Sequence, residues 1–215
     1  KENHPKAEVI VFEKTQKVLS KLKISGGGRC NVTNGAKTIP DLLKAYPRGG
    51  KKLKKLFHQF NNHHMMKWLE DRGVEWVLQE DGCVFPKSQD SQTIINCFLQ
   101  EVDRLNIKIE RGQAVNALKQ QGDQIELSFQ SSETSSPLYD KVIVTTGGSP
   151  QRKGLDWLAA LGHKIEKPVP SLFTFNMPNE SITKLMGIVV ENAMVNIQGT
   201  KLKAEGPLLI THWGM

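Results

Sequence analysis

Hydrophobic positions in the first third of the chain follow two different periods. Residues 8–13 (EVIVFE) are rich in β-branched side chains and close on an acid, which predicts a buried parallel strand. Glu13 then falls at the carboxyl edge of the predicted sheet, where α/β proteins bind ligands. Four apolar residues next recur at helical spacing and predict an amphipathic helix. They are Leu53, Leu56, Phe57 and Phe60.

The middle of the chain predicts further helices and paired strands. A second helix is predicted from a cap at Asn61 or Asn62 to Gly73, and a third over residues 91–105 with Asp90 or Ser91 as its cap. Strands are predicted at residues 74–79, 83–85, 107–110, 115–118 and 125–129. The first two flank Asp81-Gly82, a dipeptide that favours a tight turn, so they form a predicted hairpin.

The last third of the chain predicts short elements, and prolines interrupt its sequence. Residues 131–137 predict a surface loop, residues 141–146 (KVIVTT) a second buried strand ending in glycines, and residues 155–161 a short helix. Prolines at 168, 170 and 178 interrupt the remaining sequence, in which short strands are predicted at 187–197 and 208–212. This order predicts a nucleotide-binding α/β layer with an antiparallel insertion. We place a domain boundary near residue 166, giving predicted domains 1–165 and 166–215.

The composition argues against a membrane-spanning, a disulfide-rich or a zinc-binding protein. The chain is 38% hydrophobic and 24% charged, and no window approaches the roughly 18 apolar residues of a membrane span. Its cysteines, Cys30, Cys83 and Cys97, are odd in number and lack CxxC spacing. This argues against a disulfide framework or a zinc site and predicts a reducing, cytoplasmic compartment. The spacing of His58, His63 and His64 does not favour a metal site either.

Positive charge is concentrated in one segment. Residues 37–67 hold eight basic residues against one acid, within a predicted basic helical segment, 37–72. The candidates for phosphate contact are Arg48, Lys51, Lys52, Lys54 and Lys55. A solvated helix face without a ligand is the other interpretation of this charge.

Residues 23–34 (KISGGGRCNVTN) are the clearest candidate for chemistry. Gly26–Gly28 can expose successive backbone N–H groups as an anion site, and without Cβ atoms they let a phosphate or ring approach closely. The Arg29 guanidinium can add a positive charge with several N–H donors, and the Asn31 side-chain amide can both donate and accept hydrogen bonds. A surface turn is the alternative interpretation. Cys30 is interpreted mainly as a packed small residue, with an acid or redox role as the alternative.

Eight sequence blocks together carry a resemblance to a known family. They are VIVFEK, KLKISGGGRCNVTN, LLKAYPRGGKKLKKLFHQF, EDGCVFP, TTGG, ALGHKI, PVPSLFTFN and GPLLITHWGM. Over nearly its whole length the chain resembles bacterial NAD(P)/FAD-dependent flavoproteins of the BaiN/RdsA, or aminoacetone-oxidase-like, type. The SGGGRCNVTN block is highly specific to them.

This resemblance implies a glutathione-reductase-like, Rossmann-type FAD fold with an inserted β-rich domain. It implies hydride passing from NAD(P)H through FAD to an electron-poor double bond, with uridine in ribosomal RNA among the substrates. Glu13 would hold the adenosine ribose, Ala114 and Val115 the adenine, and Thr146 and Gly147 the pyrophosphate side. The implied cofactor-binding residues are Glu13, Lys14, Ser25, Gly26, Gly27, Gly28, Arg29, Cys30, Asn31, Ala114, Val115, Thr146 and Gly147. No residue is identified as a catalytic proton donor.

The chain also departs from the family pattern. Only twelve residues precede Glu13, whereas a strand and GxGxxG loop stand about twenty residues before such an acid. Cys83 stands where the family usually has Arg, and the loop after TTGG is short. We therefore expect an internal fragment that binds FAD weakly or not at all unless another chain supplies the missing N- and C-terminal segments. The alternative function is a non-catalytic, basic RNA-binding module.

Overall fold

The computed structural model describes residues 1–130, 137–149, 152–169 and 174–215. They form two compact units, Lys1–Val142 and Ile143–Met215. The loop predicted at 131–137 lies almost wholly outside the described residues, as does Pro170. The predicted domain boundary near residue 166 stays a prediction.

The first unit mixes short helices with short strands. Its helices are α1 Ser20–Ile24, α2 Ile39–Lys44, α3 Gly50–Phe57, α4 Asn62–Glu70 and α5 Ser91–Arg104. Its strands are β1 Ile10–Glu13, β2 Thr33–Asn34, β3 Trp76–Leu78, β4 Cys83–Pro86, β5 Lys108–Arg111, β6 Val115–Gln121, β7 Gln124–Phe129 and β8 Leu138–Tyr139. The predicted α4 and α5 helices are confirmed, as is the hairpin predicted between them around Asp81-Gly82. The α1 and α2 helices were not predicted, because five or six residues are too few to display a helical period.

Three sheets organise this unit. β1 pairs in parallel with β5, which confirms the parallel strand predicted at residues 8–13, whereas β2-β4-β3 and β6-β7-β8 are antiparallel. The prediction of full burial for β1 is wrong, because Val11 is 43% exposed. Among the described residues, β1 and β5 form a sheet of only two strands.

Local caps fix where the helices begin. The Asn61 side chain accepts hydrogen bonds from the backbone N–H groups of His63 and His64, and His64 Nδ1 accepts from the Asn61 N–H at 3.1 Å. This reciprocal capping box starts α4 at the predicted place. α3 ends at Phe57, so the prediction that Phe60 belongs to its apolar face is wrong. Phe60 lies beyond the helix with 54% of its surface exposed.

A small core joins the predicted glycine loop to the helices. Its buried members are Cys30, Leu69, Val74, Ile94 and Cys97. Leu69 and Ile94, from α4 and α5, are almost completely buried. Burial of such side chains contributes roughly 1.5–3 kcal/mol each, so this cluster anchors the backbone at Cys30.

The second unit contains α6 Asp156–Ala159 and an antiparallel pair, β9 Val189–Asn196 and β10 Lys203–Leu209. The strand predicted at 141–146 is wrong: residues 141–149 form neither helix nor strand, and Ile143 is 86% exposed. A strand needs a hydrogen-bonded neighbour, and no described strand lies beside this apolar run. The strand predicted at 208–212 ends at Leu209. In neither unit does a described helix have the length and apolar character of a membrane span.

Candidate functional site

The glycine loop has one packed side and one open side. Gly26, Gly27 and Gly28 have φ values of 56°, 68° and 86°, a left-handed backbone that costs residues with a Cβ roughly 1–2 kcal/mol. A Cβ on Gly26 would lie 2.7 Å from both the Asn31 nitrogen and the Phe85 ring. A Cβ on Gly27 or Gly28 would meet none of the described residues within 4 Å. The loop therefore packs against β4 through Gly26 and leaves the next two residues accessible.

Hydrogen bonds hold both ends of this loop. The buried Ser91 hydroxyl, at the start of α5, donates to the Lys23 carbonyl at 2.9 Å. The Cys30 N–H donates to the Ser25 carbonyl at 2.9 Å, and the Cys30 side chain lies in the core. Because both ends are fixed, the loop conformation is set before any ligand arrives.

The Arg29 side chain lies over the Phe85 ring, the same ring against which Gly26 of the loop packs. Its guanidinium carbon is 4.1 Å from the centre of the Phe85 ring, a cation–π contact. Nε donates to the Gly26 carbonyl at 3.2 Å and one terminal nitrogen to Gln89 at 3.3 Å. Sequence reasoning did not identify Phe85 or Gln89, since no local pattern links them to Arg29. The result is a positive charge held beside the glycines.

Asn31 contacts the residue that departs from the family pattern. Its side-chain amide donates to Cys83 Sγ at 3.2 Å. Burial raises the pKa of the Cys83 thiol, and a hydrogen bond to Asp81 raises it further. The Cys83 N–H in turn donates to Asp81 at 2.8 Å and lowers the pKa of that carboxyl. Cys83 is therefore a neutral neighbour of the loop at neutral pH.

Cys30 is suited to packing rather than acid chemistry. Its side chain is buried, and this burial raises the pKa of its thiol, although a hydrogen bond with Ser25 acts in the opposite direction. Because only the thiolate is a strong nucleophile, a raised pKa disfavours reactivity. The geometry supports the packing interpretation of Cys30.

Glu13 lies at the carboxyl end of β1, as predicted. Its Oε1 accepts hydrogen bonds from the Thr15 N–H and hydroxyl, both at 2.8 Å, and its carbonyl accepts from the Gln113 N–H at 3.0 Å. The last bond brings Glu13 to the segment that continues into Ala114 and Val115. Glu13 is thus hydrogen-bonded to the residue before Ala114, while Val115 begins β6 of another sheet, and the binding role of the three residues stays a prediction. Lys14, beside them in sequence, is exposed.

An apolar cavity of about 360 Å³ opens beside Glu13. Apolar side chains form most of its lining, among them Val11 of β1, Phe98 and Val102 of α5, and Ile109 of β5. Such a lining suits an apolar group rather than a phosphate. Thr146 and Gly147, the remaining predicted cofactor residues, belong to the second unit.

The predicted basic residues are on the surface. Arg48 and the four lysines of α3, Lys51, Lys52, Lys54 and Lys55, are all exposed. Among the histidines that precede and open α4, His64 is occupied in the helix cap. No group of three or more potential metal ligands comes together anywhere in the described residues.

Comparison with known proteins gives a family and two named relatives. The model of a family described as HI0933-like protein Rossmann domain matches residues 1–206. A Clostridium scindens protein named 3-dehydro-bile acid delta(4,6)-reductase is 23% identical over 217 residues, which cover 97% of this chain and 51% of that protein. A Haemophilus influenzae protein named ribosomal RNA dihydrouridine synthase is 24% identical over 219 residues, covering 96% and 52%. The chain thus spans about half the length of these relatives. The family match confirms the Rossmann-like α/β fold class, and the relatives' names support an oxidoreductase family in general terms.

Proposed function

The chain belongs to the HI0933-like Rossmann domain family, and from this premise we propose that it forms part of the FAD site of a flavin-dependent oxidoreductase. One observation carries the proposal: Gly27 and Gly28 have left-handed backbones with no described residue within 4 Å of where a Cβ would lie, and Arg29 follows them with its positive charge. This is the cradle that a phosphate or a flat ring requires, because a Cβ would fill it.

In this proposal, different residues hold different parts of FAD. Gly27 and Gly28 let the cofactor approach the backbone, while Arg29 attracts its negative charge. Glu13 keeps Oε2 for a ribose hydroxyl, since Thr15 occupies Oε1 and no described residue bonds to Oε2. Ala114 and Val115 directly follow Gln113, whose N–H bonds to the Glu13 carbonyl, and would present backbone to the adenine.

A bound flavin supplies hydride transfer from NAD(P)H to an electron-poor double bond, and this chain supplies position and electrostatics. We propose uridine in ribosomal RNA as the substrate, because one relative is named for dihydrouridine in that RNA. We also propose a cytoplasmic location, since all three cysteines are free.

Two alanine variants test the cradle. Gly27→Ala adds a methyl group on the open side, whereas Gly122→Ala adds one at a hairpin turn with similar φ (60°) and equally empty surroundings. FAD binding to the 215-residue chain is measured by flavin fluorescence, and retention by absorbance after gel filtration. We expect Gly27→Ala to weaken binding about tenfold or more, which is about 1.4 kcal/mol, and Gly122→Ala to leave it unchanged. Equal affinities of Gly27→Ala and the parent chain for FAD would contradict the proposal.

A second candidate function is a non-catalytic RNA-binding module, and the exposure of the α3 lysines favours it. If the chain binds RNA but not FAD, this candidate replaces the first. Reversing the charge of Lys51, Lys52, Lys54 and Lys55 to Glu should abolish RNA binding, because each lost phosphate contact reduces counterion release. Unchanged RNA binding in this variant would exclude the module.

A further inference from the structure

A second cavity, of about 220 Å³, lies in the first unit beside the residues that come after the glycine loop. Three aromatic side chains, Tyr46, Phe57 and Phe60, line it together with Thr33 and Asn34 of β2. Pockets for drug-sized ligands are usually about 300–1,000 Å³, so this cavity suits one small ring rather than a whole dinucleotide. We call it the base pocket.

The aromatic rings leave a surface for stacking. Tyr46 and Phe57 pack against each other, with centroids 5.4 Å apart. Phe60 stacks on His64 at 5.8 Å yet remains more than half exposed. An exposed Phe that lines a cavity offers its π face to another flat ring, and nucleobases are sequence-tolerant partners for such faces.

The polar side chains that line the pocket differ in whether their hydrogen-bond donors already have a partner among the described residues. Asn62 donates its side-chain amide to the carbonyls of Asn34 and Ala36, so it is committed to the fold. Asn34 Oδ1 accepts from the Ala36 N–H at 3.0 Å, which orients its Nδ2 as the remaining donor. No described residue bonds to that Nδ2 or to the Thr33 hydroxyl. Two donors are therefore available for carbonyl oxygens, and uracil carries two such oxygens.

Positive charge adjoins the pocket through the same helix. α3 provides the Phe57 wall and exposes Lys51, Lys52, Lys54 and Lys55. No acidic residue occurs in the sequence between Asp41 and Glu70. An aromatic platform beside a basic track is the combination that binds single-stranded nucleic acid.

We propose that the base pocket holds one unpaired uracil of a single-stranded RNA, with the phosphates of neighbouring nucleotides along the α3 lysines. The ring stacks on Phe60, and Asn34 Nδ2 and the Thr33 hydroxyl donate to its carbonyls. The choice of RNA over DNA rests on the proposed function. The pocket anchors the strand whether or not the bound base is the one that reacts.

The test uses the chain without flavin or NAD(P)H, so it is independent of the FAD experiment. Fluorescence anisotropy measures binding of oligouridine, oligocytidine, oligoadenosine and oligodeoxyuridine of about 12 nucleotides, a length within the roughly 4–16 nucleotides that single-strand-binding folds cover. Phe60→Leu removes the ring but keeps an apolar side chain. Phe175→Leu is its matched control, because Phe175 is similarly exposed (57%) and does not line the pocket.

We expect oligouridine to bind more tightly than the other oligomers, and Phe60→Leu to weaken it at least about fivefold without changing the salt dependence. Thr33→Val should reduce the preference for uridine over cytidine. Lys51→Gln with Lys55→Gln should instead lower the slope of log K against log salt by about 1.4, since single strands lose about 0.7 per phosphate contact. Phe175→Leu should bind like the parent chain.

Three results would overturn the proposal. The first is the absence of oligouridine binding at low salt, and the second is equal affinity of Phe60→Leu and the parent chain. The third is equal binding of ribo- and deoxy-oligomers, which would remove RNA as the specific partner. Circular dichroism checks that Phe60→Leu keeps its fold, as expected for an exposed side chain.

Discussion

Replacing Gly26 by alanine, and separately Gly27 by alanine, distinguishes the packed side of the glycine loop from its open side. Both residues have a left-handed φ, so both substitutions cost roughly 1–2 kcal/mol in backbone strain. Only at Gly26 does the new Cβ meet other atoms, at 2.7 Å from the Asn31 nitrogen and the Phe85 ring. Such overpacking adds about 1–3 kcal/mol, so Gly26→Ala should cost about 2–5 kcal/mol in total.

Urea unfolding followed by circular dichroism measures these free energies directly. For a chain of 215 residues each kcal/mol also lowers Tm by about 2–4 °C. We therefore expect a Tm decrease of about 2–8 °C for Gly27→Ala and about 4–20 °C for Gly26→Ala. In FAD binding, Gly27→Ala should lose affinity even at temperatures where it is fully folded. Equal destabilisation by the two substitutions would refute the reasoning, because the packed contact of Gly26 is their main structural difference.

Three further changes test the fold around the site. Leu69→Ala removes a completely buried side chain and should lower the free energy of unfolding by about 2–5 kcal/mol in urea titration; a cost below about 1 kcal/mol would contradict the core assignment. The Glu101 carboxyl has its pKa lowered from 4.5 to about 2, mainly by a hydrogen bond from Arg104, so its stabilisation is complete above about pH 4.5 and is lost as the pH falls towards 2. Glu101→Gln should accordingly be less stable than the parent at neutral pH, with the difference disappearing near pH 2; a constant difference would contradict this. Cys83 should react with a thiol reagent before Cys30 and Cys97, which are buried and should react only in urea; simultaneous reaction of all three would contradict the packing.

Much of the local structure could be predicted from the sequence. The Asn61 cap, the Asp81-Gly82 turn and the apolar period of α5 each depend on groups a few residues apart, and the structure contains all three. The eight sequence blocks together identified the family. An accessible backbone was predicted for Gly26–Gly28, and the structure leaves space for it at Gly27 and Gly28 but packs Gly26 against Phe85. Such features survive in the sequence because neighbouring residues determine them.

Contacts between distant segments were decided only by the tertiary structure. Phe85 and Gln89 hold Arg29, and Cys83 meets Asn31, because the β2–β4 pairing brings these segments together. The same dependence explains the failed prediction at residues 141–146, whose apolar run suits a strand but has no described partner strand. Sequence alone determined the residues capable of turning, capping and exposing backbone. Tertiary structure decided which of them meet, since a packed side or a paired strand requires a neighbour that local sequence does not specify.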